Sequence, residues 1–104
     1  MVKHIILWKI KSGFSESEKE TVAAGIKKGL EGLKGVIPGL SDIRVRSGLE
    51  SSSADLMLDS TFEDAAALEN YRRDARHNAV ADRFVRPNVE IRLCMDYEVG
   101  EDGK

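Results

Sequence analysis

The chain has 104 residues, 16 of them basic and 18 acidic, for a formal net charge of −2. That length suits one domain with its own core, and so balanced a charge provides no field for a non-specific nucleic-acid binder or for an anionic membrane surface. The single cysteine, Cys94, leaves no intramolecular disulfide, and one cysteine with two histidines makes no closed zinc site without carboxylates. No metal-ligand spacing is present, and no apolar run approaches a membrane span. The N-terminal segment has the pattern of neither a signal nor a transit peptide. The expectation is a soluble cytoplasmic domain over 1–99 with a flexible tail over 100–104.

"VKHIILWKIK" opens the chain as a β-branched, aromatic strand. His4, Ile6, Trp8 and Ile10 share one face, and Ile5 and Leu7 occupy the other between Lys3 and Lys9. Both faces are apolar at the centre, so both need cover. In "FSESEKETVAAGIKKGLEGLKGVIPGL", Ser15 followed by Glu18 forms a capping-box pattern, and Val22, Ile26, Leu30 and Leu33 form a helical stripe that ends near Gly35 and "IPG". Gly25, Gly29 and Gly32 share a face at a cost of about 1 kcal/mol each. They read either as room for close packing or a ligand, or as a tolerated surface.

"IRVRS" alternates as a short strand, and "SGLESSSAD" (47–55) is a loop without apolar anchors. "ADLMLDSTF" is the next strand, with Leu56, Leu58 and Phe62 opposite Asp55, Met57, Asp59 and Thr61. Asp64 caps a short helix from Ala65 to about Arg72, which places Ala65, Leu68 and Tyr71 on one side. Asp74 restarts the helix, with Val80, Phe84 and Val85 inward, until Pro87 stops it. "VEIRLCMDYEV" alternates cleanly: Val89, Ile91, Leu93, Met95, Tyr97 and Val99 against Glu90, Arg92, Cys94, Asp96 and Glu98.

The order β-α-β-β-α-β is the split βαβ pattern of an α+β, ferredoxin-like fold, an antiparallel sheet with helices on one face. The first strand's second apolar face then has no helix to cover it. Pairing of two sheets in a homodimer would bury that face.

"VKHIILWKIK", "GLKGVIPGL", "LMLDSTFEDAAALENYRRDARHNAV" and "MDYEV", in this order and spacing, resemble the Dabb family of stress-responsive dimeric α/β-barrel proteins, from about Val2 to Val99. The resemblance implies a dimeric α/β barrel with a cavity in each protomer between sheet and helices, lined here by His4, Ile6, Trp8, Leu56, Leu58 and Phe84. Most bacterial members have no established activity, whereas the related plant polyketide cyclases close rings by an aldol-type reaction without a cofactor. Their tyrosine and histidine correspond to Tyr71 and His77, and a further cavity histidine corresponds to His4. Two positions depart from the pattern. The family's His-Pro is Asp74-Ala75, which keeps a capped turn, and a strand histidine is Leu56, which removes a polar group.

The first functional reading is therefore a small-molecule-binding dimer for an apolar or acidic ligand, with no cofactor and no metal. The second is an enolising or cyclising enzyme with His77 as base and Tyr71 as the stabilising group. A position near a helix N-terminus favours neutral His77. His4 reads as a cavity group or as a buried histidine bonded to backbone. Arg72, Arg73 and Arg76 read first as a solvated basic turn paired with Glu69 and Asp74.

Overall fold

The computed structural model describes residues 1–100, so all of the expected tail beyond Gly100 lies outside the described residues. The elements are β1 (Val2–Ile10), α1 (Glu16–Glu31), β2 (Leu40–Ser47), β3 (Leu56–Phe62), α2 (Ala65–Arg73), α3 (Ala75–Val80), a π-helical turn (Ala81–Val85) and β4 (Val89–Glu98). This is the expected order, with the second helix divided into three pieces. The strands form one antiparallel sheet in the order β2-β3-β1-β4, and the helices cover one face.

Local chemistry sets the helix ends. Ser15 accepts from the Glu18 amide, and the Glu18 carboxylate accepts from the Ser15 amide at 2.8 Å, so the capping box is complete. Asp64 caps α2 by accepting from the Ala67 amide at 2.8 Å. Asp74 has an extended backbone (ψ 128°), bonds its own N–H to the Tyr71 carbonyl, and accepts from the Arg76 amide to start α3. One aspartate thus ends a helix and begins the next.

The covered face of the sheet carries Val2, His4, Ile6, Trp8 and Ile10 of β1 and Leu56, Leu58, Ser60 and Phe62 of β3, all buried. Ile26, Leu30 and Leu33 from the α1 stripe and Leu68 and Tyr71 from α2 close over them. Gly25 and Gly29 settle the question of the glycine face: the Phe84 ring lies against both, and a β-carbon at Gly29 would sit 2.9 Å from Phe84 and Val80. The glycines admit the helix pieces at close range. Gly32 is the C-cap of α1 rather than an interior residue.

Two faces differ from the expected alternation. Val80 and Phe84 are only half-buried, while Ala81 and Val85 are buried, because the π-helical turn adds a residue per turn and rotates the following side chains. On β4 a bulge beside Lys9 and Ile10 separates Val89, which packs against the core, from Ile91, Leu93, Met95 and Tyr97. Those four lie on the uncovered face of the sheet, with Leu93 63% and Met95 66% exposed. It is the polar side of β4, with Arg92, Cys94 and Asp96, that faces the helices.

The turn into β2 depends on Gly39, whose φ of +83° suits glycine and whose added β-carbon would lie 2.5 Å from that of Ala67. Left-handed strain and overpacking together are expected to make Gly39→Ala destabilising by about 2–5 kcal/mol. Urea denaturation measures this, and an unchanged midpoint would mean that α2 moves aside without cost.

Candidate functional site

A cavity of about 120 Å³ lies between the covered sheet face and the broken helix. β1 supplies His4, Ile6 and Trp8, and β3 supplies Leu58. Leu30, Ala81, Val85 and Val89 complete the apolar wall, Tyr71 and His77 form one side, and Arg72, Arg86 and Arg92 stand around it. Alternation along β1 puts His4, Ile6 and Trp8 on one face, and the break at Asp74 brings α3 back over α2. The cavity therefore unites His4, Tyr71 and His77. Two expected lining residues lie elsewhere: Leu56 is buried against the outer side of α1, and Phe84 is occupied by the glycines of α1.

Tyr71 and His77 stack with ring centroids 4.0 Å apart and planes tilted by 31°. Phe62 meets Tyr71 edge-on at 4.9 Å, which fixes the phenol from behind. Tyr71 Oη, His77 Nδ1 and Trp8 Nε1 are buried, and none has a hydrogen-bond partner among the described residues. Buried polar atoms are nearly always bonded, so three orphans around one cavity are informative.

Burial raises the Tyr71 phenol far above its ordinary value, leaving it a neutral donor. His77 is lowered to about 4, chiefly by burial, then by the charges of Arg86 and His4; the nearby Arg72 backbone and, after it, Asp74 pull the other way. The expected neutral imidazole is thus present, but burial rather than the helix end is the main cause.

His4 resolves to a side-chain partner. Its Nδ1 lies 2.5 Å from Asp96 Oδ1, and the second Asp96 oxygen accepts from Arg72. Burial lowers the His4 pKa despite Asp96, and the His4 and Arg72 hydrogen bonds hold Asp96 below its usual value against its own burial. Near neutrality the pair is an imidazole N–H donating to a carboxylate. This leaves Nε2 as the acceptor. Arg72 is accordingly part of the site wall rather than a purely solvated residue, whereas Arg76 pairs with Asp74 at 2.7 Å as expected of the basic turn.

Cys94 Sγ lies 3.7 Å from His4 Nδ1 and 3.5 Å from Asp96 Oδ1, which groups nitrogen, sulfur and oxygen donors. Both Asp96 oxygens are already bonded, and the positive charges of Arg72 and Arg92 act on the same cluster, so the surroundings disfavour a cation. Sequence reasoning missed Arg86, Arg92 and Asp96. The β4 alternation carried the signal: its apolar side suits the open sheet face, which turns Arg92 and Asp96 inward.

A ferredoxin-like α+β protein with a cavity between sheet and helices is the class that this geometry defines. The chain belongs to the stress responsive A/B barrel domain family, Dabb, whose model matches residues 2–99. No curated protein matches the sequence. Among solved structures, it is similar to a dimeric ferredoxin-like protein of unknown function from Bacteroides fragilis, with 28% identity over 93% of this chain and 94% of that one and a TM-score of 0.86. A Dabb-family protein from Mesorhizobium loti is 20% identical over 93% and 94% of the two chains, with a TM-score of 0.72. A hydroxynitrile lyase from Passiflora edulis is 20% identical over 96% and 94%, also at 0.72. Among the described residues no helix is long and apolar enough to cross a membrane.

Unfolded His77 takes up a proton near 6.5 and folded His77 only near about 4, so the unfolded chain binds more protons throughout that window. Stability is expected to fall as pH drops from 6.5 toward 4, with His4 acting in the same direction. His77→Gln should flatten this fall in urea midpoints measured across the window. Identical slopes for variant and wild type would show that His77 does not stay neutral in the fold.

Proposed function

We propose that the protein binds a small apolar or acidic molecule in this cavity and works as a homodimer in the cytoplasm. The carrying observation is the set of three unpartnered polar atoms, Trp8 Nε1, Tyr71 Oη and His77 Nδ1, on residues that line one cavity with an apolar wall and an arginine rim. A ligand with one or two oxygen atoms would satisfy them while its body packs against Ile6, Leu58 and Val85. Dimerisation through the open sheet face is supported by the exposed row Leu7, Ile91, Leu93, Met95 and Tyr97. The Bacteroides fragilis protein with the same fold is dimeric. A lone, unpaired Cys94 suits a reducing compartment.

A second reading is favoured by the stacked pair itself. Neutral His77 would take a proton from a carbon next to a carbonyl, while the Tyr71 hydroxyl donates to the enolate oxygen that forms. When the enol collapses the proton returns from His77 to carbon. When an aldol ring closes, the enolate carbon attacks a second carbonyl and His77 gives the proton to the alkoxide oxygen that forms, so neither step uses a cofactor. His4, aimed by Asp96, assists from the opposite wall. The fold carries lyase chemistry in the Passiflora edulis protein.

Light scattering is expected to give twice the chain mass, and Leu93→Arg to give a monomer; a wild-type monomer at micromolar concentration would remove the dimer. For the chemistry, NMR would follow deuterium exchange at the central carbon of a 1,3-dicarbonyl. His77→Ala and Tyr71→Phe are each expected to slow the catalysed exchange by roughly 10²-fold. Exchange no faster than in buffer alone would end the enzymatic reading and leave the binding reading to stand on its own test.

A further inference from the structure

The three arginines around the cavity are not equivalent. Arg72 is held by Asp96 and Glu69, and Arg86 by Asp82 at 2.5 Å and Asn78 at 3.2 Å. Both of these guanidiniums already brace the walls. Arg92, by contrast, has no ion-pair partner among the described residues, although it stands on the cavity side of β4, directly across from Trp8. Asp96, on the same side of β4, does not compete for it, since His4 and Arg72 take its two oxygens. One free, planar, two-pronged cation therefore faces an apolar space that is already provided with donors from Trp8 and Tyr71.

The size of that space limits the body that an anion can bring in with it. Apolar cavities of roughly 150 Å³ take up benzene, and this one is about 120 Å³. A body of about one small ring, or a branched chain of like size, fits; a long acyl chain or a fused-ring system does not. A single free guanidinium matches a carboxylate in a bidentate pair, whereas a phosphate dianion calls for more than one cation.

We propose, on the reading that this cavity binds a small molecule, that its ligand is a compact monocarboxylate whose carboxylate sits on Arg92 and whose body packs among Ile6, Trp8, Leu58 and Val85. An oxygen on that body, as in an oxo or hydroxy acid, would accept from Trp8 Nε1 and Tyr71 Oη and tighten binding further.

Trp8 is the only tryptophan in the chain and lines the cavity, so its fluorescence reports occupancy directly. The experiment titrates wild type and Arg92→Gln with benzoate, benzamide, phenyl phosphate and decanoate. Arg92 is exposed, and an unchanged melting temperature will verify that the variant folds. Benzoate is expected to bind wild type at least about tenfold more tightly than benzamide, since even one charge-assisted hydrogen bond of the bidentate pair commands that ratio. Arg92→Gln should erase that difference and leave benzamide unaffected, with phenyl phosphate and decanoate weaker than benzoate throughout. Equal binding of benzoate and benzamide to wild type would overturn the carboxylate class while leaving a working cavity. A preference that survives Arg92→Gln would overturn the anchor, and tighter phenyl phosphate or decanoate would overturn the charge or the size assignment. If no probe perturbs Trp8, the binding reading itself fails and takes the ligand class with it.

Discussion

At Asp74 the backbone leaves helical geometry, and the carboxylate immediately accepts from the amide that begins the next helix. On an uninterrupted helix Tyr71 and His77 would point roughly 120° apart around the axis. The break turns α3 back, and the two rings stack at 4.0 Å. Asn78 secures the joint by donating to the carbonyls of Arg72 and Asp74, both at 3.1 Å. The π-helical turn after α3 rotates Ala81 and Val85 toward the cavity and sends Phe84 to the bare glycine face of α1. Small residues thus line the cavity while the bulky ring fills space elsewhere.

A second constraint acts from the sheet. Side chains alternate strictly along a strand, so the face on which β4 places its apolar row decides where its polar row goes. Because Ile91, Leu93 and Met95 lie on the uncovered face, Arg92, Cys94 and Asp96 are carried to the helix side. The same alternation therefore produces an apolar surface suited to a second copy and a charged edge for the cavity. Pairing in antiparallel register sets His4 opposite Asp96, and Arg72 from α2 completes a line of three bonded side chains across strand and helix.

Burial and charge divide the site into two zones. In the interior, desolvation dominates, reinforced at His77 by the charge of Arg86, and Tyr71 and His77 both stay neutral. At the edge, Arg72 and Asp96 keep their charges because solvent reaches them and each compensates the other. A neutral donor and acceptor inside, with a cationic rim outside, recognises a molecule that is apolar within and anionic at one end.

Periodicity, caps and turn residues determined much by themselves. The order of elements, the capping box at Ser15, the restart at Asp74 and the shared face of His4, Ile6 and Trp8 were all legible, because each is a local preference that the fold has no reason to override. The pairing of Tyr71 with His77 came from resemblance rather than from spacing. The roles of Arg92 and Asp96 were not legible, since a clean alternation says that two faces differ without saying which one the helices cover. Nor was the displacement of Phe84 and Leu56 from the cavity, because a π-helical turn and the packing of α1 depend on contacts far apart in the chain. Local sequence set the elements and their faces; only the tertiary structure decided which face is inside, because that choice belongs to the whole sheet and what packs on it.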